Sequence, residues 1–459
     1  MTNEAEGSGA ENREAEELHR RYSRRGRWRQ NLKRLVRLFN WILVVQLLSG
    51  AKRFLDIAGA LALLFALSPV MALVSVVLAL QAKVLHRTPR VGRWCETFQE
   101  YSFSAPETTV GRVVTGLRCR RLPVLLNILK GDMSFVGPSL ISPGELSPRE
   151  RAVRKRFNVR PGLICLWWIR RRANIAYGGE VESDGEYVDT HTVLGDIGIA
   201  LRAIPAVIYG EGVATAPDLV TILGIRLNNV TMTEAVETIV ERMGGNGSQQ
   251  ICFVNADCAN IAYRDRDYHE VLQQAGLVLA DGIGLKLAGK LLARDIRQNV
   301  NGTDLFPRLC SALSSSGMGL YLLGGRPGVA EGVRDWLARE HPDVKVSGYH
   351  HGYFTPEEEP EVIRHIADSG ASLLLVALGA PRQDMWISEN LERTGVRVAM
   401  GVGGLFDFYS GLTPRAPQWI REMGLEWLYR FGQEPGRMWK RYFVGNALFL
   451  IRVIKARFK

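Results

Sequence analysis

The sequence predicts an α/β protein in two parts. A C-terminal, Rossmann-like parallel sheet with flanking helices follows a mainly helical, membrane-associated domain with a re-entrant helix hairpin. Three observations carry this. From Val220 onward, short apolar runs alternate with amphipathic stretches, the pattern of a parallel sheet covered by helices. Ile57 to Leu80 has no charged residue and is long enough to cross a hydrocarbon core of ~30 Å. A chain of 459 residues is also too long for one ordinary domain.

Residues 1–30 are polar and rich in Glu and Arg, an expected disordered basic tail. No early apolar core or cleavage site is present, so no secretory signal is expected. From Asn31 to Leu48 apolar residues mix with Lys33, Arg34 and Arg37, which suits an interfacial helix. The hairpin is expected over residues 51–82. Pro69 lies in its middle and removes the hydrogen bond to the Phe65 carbonyl, and Ser68 can partly satisfy that turn. Lys52 and Arg53 precede the apolar stretch, and Lys83, His86 and Arg87 follow it. Basic residues at both ends place both ends in the cytoplasm. The expectation is a helix broken at Ser68-Pro69 that dips in and returns.

The formal charge is +11, with an excess between Arg20 and Arg37. Such a balance calls for a polyanionic partner: phospholipid, nucleotide diphosphate or nucleic acid. No aromatic-rich RNA-binding signature accompanies it, so nucleic acid is set aside. The apolar segment behind the basic run favours the anionic inner leaflet. Cys95, Cys119, Cys165, Cys252, Cys258 and Cys310 form no C-x-x-C pair and no zinc spacing. They read as reduced, mostly buried thiols, and no metal or other cofactor is expected.

The next stretch contains Leu122-Pro123, Gly131-Asp132-Met133-Ser134-Phe135-Val136-Gly137-Pro138, Arg160-Pro161-Gly162-Leu163 and Asp184…Tyr187-Val188. With Lys52-Arg53-x-x-Asp56 before them, these runs resemble the bacterial sugar transferases, the monotopic polyprenyl-phosphate hexose-1-phosphate transferases. The resemblance covers about Lys52 to Gly210, and the domain is assigned to residues 31–213. It implies a re-entrant helix and a nucleophilic Asp-Glu pair directly before Leu-Pro. Here that pair is Arg120-Arg121. Arginine stays protonated and offers no lone pair, so it cannot replace a carboxylate nucleophile. The Arg-Pro expected after Val-Gly-Pro is Ser139-Leu140, Lys-Phe-Arg is replaced at Tyr101–Ser104, and Leu-Trp-Gln is Leu166-Trp167-Trp168. The fold-forming apolar and glycine positions remain. The expectation is a scaffold without phosphosugar transfer.

A small-residue linker, Gly210 to Pro217, leads to the second domain, expected over residues 218–441. Its predicted strands are Val220–Ile225, Ile251–Asn255, Leu277–Leu279, Gly319–Leu323, Val344–Gly348, Ser372–Leu378 and Val396–Val402, with a helix over Thr231–Met243. Four strand ends deliver polar or glycine residues to one edge, where open α/β sheets bind ligands. They are Asn255-Ala256-Asp257, Asp281-Gly282-Ile283-Gly284, Gly324-Gly325-Arg326 and Gly379-Ala380-Pro381-Arg382-Gln383. Gly324, Gly325 and Gly379 let backbone amides approach an anion before a helix, which points to a nucleotide diphosphate.

These runs are joined by Asn301-Gly302-Thr303-Asp304, His351-Gly352-Tyr353-Phe354, Gly401-Val402-Gly403-Gly404…Asp407, Arg415-Ala416-Pro417 and Glu426-Trp427-x-x-Arg430…Glu434-Pro435-x-Arg437. In that order they resemble the WecG/TagA/CpsF family, glycosyltransferase family 26. The resemblance implies an inverting, metal-independent transfer of a sugar, commonly N-acetylmannosamine or its uronic acid. The donor is a UDP-sugar and the acceptor a polyprenyl-diphosphate-linked sugar. Asp281 is then the candidate general base, or alternatively an N-cap of the following helix. Gln383 would orient substrate hydroxyls, or be an exposed helix residue. Asn255 and Asn301 would hold sugar hydroxyls, or serve as turn formers. Asp304 would bind the donor sugar, or cap a helix. Arg430 and Arg437 lie in a basic, aromatic C-terminal segment that the family uses for membrane association and site closure, and arginines grip diphosphates bidentately. Residues 442–459 make a credible interfacial helix. The family often carries Thr where Phe253 stands and Arg where Asn299 stands, so donor specificity can differ. Asp265-Arg266-Asp267 has the D-x-D spacing that holds metal in other glycosyltransferases, but in a helix i and i+2 face apart.

The reading is a membrane-anchored, inverting glycosyltransferase of bacterial cell-surface polysaccharide assembly. It would act at the cytoplasmic face of the inner membrane, with phospholipid, UDP-sugar and lipid-linked acceptor as partners. One rival keeps both halves active, and a second makes the chain a non-catalytic assembly scaffold. Donor sugar, acceptor sugar, linkage and oligomeric state, a homo-oligomer included, are not fixed by these residues.

Overall fold

The computed structural model describes residues 24–80, 84–104, 119–145, 155–173, 179–209 and 216–458. The expected tail up to Ser23 and the Lys83 flank lie outside the described residues, as do the side chains of residues 24–48 and of Arg437. The chain forms two compact units. One takes the chain up to Cys165 together with Glu180–Ala200, and the other takes Leu166–Gly179 and Leu201–Lys459.

The first unit is built on one long helix, Arg24–Ala79. This corrects the expectation at two points. Residues 24–30 are helical rather than part of a tail, and the helix runs on through Pro69 instead of ending at Ser68. The reason is local: the Ser68 hydroxyl donates to the Phe65 carbonyl at 2.8 Å, the acceptor that Pro69 leaves without its amide partner. Ser49–Ala79 is the one helix among the described residues long and apolar enough to cross a membrane, with mean hydropathy 2.6. Most of its apolar side chains are exposed, Phe65 and Leu73 among them.

The Lys52-Arg53-x-x-Asp56 run ties this helix to its unit. Lys52 Nζ donates to the Val136 carbonyl (2.9 Å) and the Tyr187 hydroxyl (2.7 Å), and pairs with Asp196. Arg53 donates to the carbonyls of Ile128 (2.5 Å) and Leu129 (2.7 Å), at the C-terminal end of the helix Val124–Lys130, where cations are favoured. Asp56 accepts from the Ser134 hydroxyl and the Phe135 amide, both at 3.0 Å. β1 (Leu85–Val91) and β2 (Thr97–Phe103) form an antiparallel pair, and β3 (Ser134–Val136) and β4 (Gly162–Ile164) a parallel one. A Cβ on Gly137 or Gly162 would run into the backbone of the facing strand. The Val-Gly-Pro and Arg-Pro-Gly glycines are thus requirements of strand approach.

The second unit carries an eight-stranded sheet. Its strands are β5 (Leu219–Ile222), β6 (Ile225–Asn228), β7 (Gln249–Val254), β8 (Leu277–Ala280), β9 (Leu320–Gly324), β10 (Val346–His350), β11 (Leu373–Ala377) and β12 (Val398–Gly401). The order is β10-β9-β11-β12-β7-β8-β6-β5, and every pairing is parallel except β5 with β6. The single strand expected over Val220–Ile225 is therefore a hairpin. Leu223 (φ +50°) and Gly224 (φ +86°) both take left-handed backbone, as a two-residue hairpin turn requires.

Alternation along each strand feeds the two faces. Ile251, Phe253, Leu277, Leu279, Leu320 and Leu322 join one core with the helices Met232–Gly244, Gly302–Leu313 and Val329–Glu340. Cys252, Val254, Val278 and Ala280 face the other side, against Ala256–Ala262, Ile283–Leu291 and Asn446–Arg457. With both faces covered, the strands read as continuous apolar runs. Thr231 and Glu234 form a reciprocal capping box at the start of Met232–Gly244. The C-terminal helix is held to the unit: Phe449 and Val453 are 1% and 0% exposed. Burying each such side chain contributes about 1.5–3 kcal/mol. Four of the six cysteines are buried and all are free thiols.

Candidate active site

A cavity of about 460 Å³ opens at the carboxyl ends of β7 and β8. The two strands run in register to Val254↔Ala280, so Asn255 and Asp281 leave the sheet side by side. The Asp281 amide donates to the Val254 carbonyl at 2.7 Å. Gly282 then turns with φ +92°, a conformation L side chains rarely adopt, and its amide donates to Asn299 Oδ1. Gly282 is the N-cap of Ile283–Leu291, which has no side-chain cap. The Asp281 carboxylate is therefore not used as a cap, and it lines the cavity. Burial pushes it up to about 6; the Arg441 charge and a hydrogen bond with Asn255 hold it down, while Glu426 and Asp304 repel it. A carboxylate that titrates near neutrality beside a cavity suits proton abstraction.

Asn255 itself is the N-cap of Ala256–Ala262, its Oδ1 accepting from the amides of Asp257 (3.0 Å) and Cys258 (3.1 Å). Asn301 caps Gly302–Leu313 by accepting from the Asp304 amide at 2.8 Å, and its Nδ2 donates to Asp304 Oδ2 at 2.8 Å. Asp304 also accepts from Arg415 at 2.6 Å and lies 3.7 Å from Arg421. All three line the cavity, yet each already holds its surroundings in place. Asp304 is 5% exposed and fixes two arginines, a different job from gripping a sugar.

The cationic lining includes Arg421, Arg430 and Arg441. Arg441 sits 3.3 Å from the Asp257 carboxylate. Arg430 lies over the Phe408 ring at 5.1 Å, against Gly404, where a Cβ would come within 2.5 Å of its guanidinium. Burial, aided by the Arg415 charge, lowers the pKa of Arg421 without bringing a guanidinium near neutrality.

Gln383, Gly324, Gly325 and Gly379 are not brought to this cavity. Gln383 is 4% exposed, and its Oε1 accepts from the amides of Gly379 (3.1 Å) and Gly403 (2.9 Å). It braces two loops and is not an exposed residue. The Gly325 amide donates to the Ala377 carbonyl at 3.2 Å, and a Cβ on Gly324 would meet that carbonyl at 2.6 Å. The amides of Gly325 and Gly379 are thus already bonded within the fold, and Gly324 answers to the close approach of β9 and β11. Arg437 falls in the helix Pro435–Trp439, and its side chain lies outside the described residues. Asp265 is the N-cap of Arg266–Gln274, accepting from the Tyr268 amide, which accounts for half of the D-x-D run.

Asp257 belongs to the strand-end run Asn255-Ala256-Asp257, and Arg421 and Arg441 to the basic, aromatic C-terminal segment, but only the fold brings the three to one cavity. A signal for Arg441 exists in the basic spacing Arg430…Arg437…Arg441. Asn299 was visible only as a departure, and here it holds the turn beneath Asp281.

In the first unit, the short turn Cys119–Arg121 precedes the helix Val124–Lys130. Arg120 is exposed, and Arg121 donates to Glu100 at 3.0 Å. Glu100 is 6% exposed and also accepts from Arg90 at 2.9 Å. Ser139 sits in a network with Arg156, Glu180 and Asp184.

Residues 220–459 match the model of the glycosyl transferase WecG/TagA/CpsF family, and residues 47–210 match that of the bacterial sugar transferases. The chain belongs to the WecG/TagA/CpsF family and is a glycosyltransferase that also carries a sugar-transferase region. Its relatives include the N-acetylglucosaminyldiphosphoundecaprenol N-acetyl-beta-D-mannosaminyltransferase of Bacillus subtilis (strain 168), 34% identical over 191 residues, 42% of this chain and 73% of the relative. The enzyme of the same name from Staphylococcus aureus (strain MRSA252) is 28% identical over 246 residues, 52% of this chain and 94% of the relative.

Proposed function

We propose that this protein transfers N-acetylmannosamine, or a closely related sugar, from a UDP donor to a polyprenyl-diphosphate-linked N-acetylglucosamine, with inversion. The acceptor hydroxyl attacks the anomeric carbon, and its proton passes to the Asp281 carboxylate. The bond from that carbon to the UDP oxygen breaks as the new glycosidic bond forms, and UDP leaves with the electron pair. The arginines of the cavity balance the diphosphate charge. The observation that carries the reading is Asp281, set free of capping at the end of β8 and raised to about 6 by burial. The names of the relatives support the sugar and the acceptor.

The sugar-transferase region then serves as an anchor without phosphosugar transfer. The exposed Arg120 at the nucleophile's position supports this, and so does Arg121 beside it, which stands where the partner carboxylate would be and is itself paired with the buried Glu100. The exposed apolar helix Ser49–Ala79 supports membrane attachment, with the monotopic topology and cytoplasmic face as part of the proposal.

One assay tests both parts. The full chain in lipid nanodiscs receives UDP-N-acetylmannosamine and either polyprenyl phosphate or polyprenyl-diphosphate-N-acetylglucosamine. The expected result is UDP release with the second acceptor and no UMP with the first. UMP release that is lost on mutation within residues 47–210 would overturn the inactive-anchor reading. Absence of transfer to the diphosphate acceptor would overturn the substrate assignment.

A further inference from the structure

Two pieces of the second compact unit lie outside the glycosyltransferase match and inside the sugar-transferase match: Leu166–Gly179 and the chain from Leu201 to residue 210. Both reach the cavity of Asp281. Arg172 and Ala173 line it from the helix Leu166–Ala173, and Pro205 and Ala206 line it from the end of the helix Val193–Tyr209.

The same two pieces hold a buried acid. Glu422 is 2% exposed and ends the helix Gln418–Glu422. One carboxylate oxygen accepts from Arg170 Nε at 3.0 Å and the other from Arg202 at 2.7 Å. A buried carboxylate is tolerated when it is paired and hydrogen-bonded, and stripping one partner leaves an uncompensated charge. The residue before Glu422 is Arg421, which lines the cavity and reaches to 3.7 Å from Asp304. The position of Arg421 thus depends on two arginines more than 200 residues earlier in the chain.

We propose that Arg170 and Arg202 are positioning residues of the glycosyl-transfer site. Through Glu422 they set Arg421, and the helix that carries Arg170 also brings Arg172 to the wall, making a cationic surface for a diphosphate group. This rests on the reading of the Asp281 cavity as the transfer site. The diphosphate belongs either to the nucleotide donor or to the prenyl acceptor, and the two are told apart by measurement.

The full chain in nanodiscs is compared with Arg202→Met, Arg202→Lys and the double variant Arg202→Met/Glu422→Gln. Calorimetry measures binding of UDP and of a short-chain prenyl diphosphate, and kinetics gives kcat and KM for both substrates. Loss of a positioned binding group should weaken one diphosphate ligand by roughly tenfold or more and raise its KM, with kcat changed less. The acidic limb of the pH profile should stay where Asp281 puts it, and Arg202→Lys should recover most of the loss. The ligand whose affinity falls identifies the source of the diphosphate. The double variant retains no uncompensated carboxylate, so it reports on position even where Arg202→Met folds poorly. A folded Arg202→Met or double variant that binds both ligands within about twofold of the parent would overturn the proposal. If the parent binds both probes but transfers no sugar, the transfer reading fails while the positioning proposal is still decided by binding.

Discussion

Asp281 makes opposite demands on stability and on chemistry, and this separates a base from a structural acid. Its carboxyl titrates near 6 in the fold, above its ordinary 3.8. The folded state therefore holds that proton more tightly than the unfolded chain, and stability falls as pH rises from about 4 through 6. Above that window the ionised carboxylate is a liability that Asp281→Asn removes. The variant should melt no lower than the parent at pH 8 while turnover falls about 10²–10⁴-fold. In the parent, kcat/KM should drop below pH 6 with the loss of one ionised group, and the residual activity of Asp281→Asn should show no such limb. A variant that loses stability and activity together would mark Asp281 as structural. Gln383 should behave in the reverse way. Gln383→Ala removes the acceptor of two loop amides, which costs about 1–3 kcal/mol in all. Urea denaturation should record that loss while kcat per folded molecule changes only a few-fold. A hundredfold fall in kcat at unchanged stability would return Gln383 to the chemistry.

At the scale of elements, hydrophobic period and strand-end residues carried the reading furthest. Alternation in Ile251-Cys252-Phe253-Val254 serves two cores at once, so the run is apolar throughout and legible as a buried strand. Asn255 and Asp281 were legible because each directly follows such a strand. The glycine loops misled for a physical reason: Gly324 and Gly325 look alike in sequence whether their amides face a phosphate or another strand, and here Ala377 decides it. The long helix shows the same limit. Ser68-Pro69 reads as a break, yet the Ser68 hydroxyl takes over the Phe65 carbonyl and the helix continues. A continuous helix does not by itself choose between crossing the bilayer and returning, because a proline bends a helix without ending it. Cysteines placed at Ser49 and at Leu85, with exposed Cys95 replaced, should both react with an impermeant reagent only from the cytoplasmic side. Reaction of one of them from the opposite side would mean a span and would replace the monotopic proposal.

At the scale of the whole molecule, family boundaries and folding boundaries differ. The matches part between residues 210 and 220, where a linker of small residues invites a cut. The compact unit that contains the cavity does not part there, since it includes Leu166–Gly179 and everything from Leu201. No local sequence signal marks this, because the Arg170–Glu422 pair joins residues 252 positions apart. A chain beginning at Thr215 would keep Asp281, the sheet and the C-terminal helix, but would lose Arg170 and Arg202 together. Glu422 would then be a buried carboxylate without its partners, and breaking a buried pair typically costs about 3–5 kcal/mol. Exposure of the newly opened surface to water relieves part of that cost, so the shortened chain should fold with a reduced urea midpoint rather than fail outright. Glu422→Gln, neutral and nearly isosteric, should recover a good part of the midpoint in the shortened chain. In the full chain the same substitution should be destabilising, because it removes the negative charge that Arg170 and Arg202 share and turns an amide N–H toward a guanidinium. Opposite signs in the two backgrounds are the expected signature. If Glu422→Gln shifts both midpoints in the same direction, the clamp does not bind the two segments into one folding unit, and the linker would be the true boundary of the glycosyltransferase.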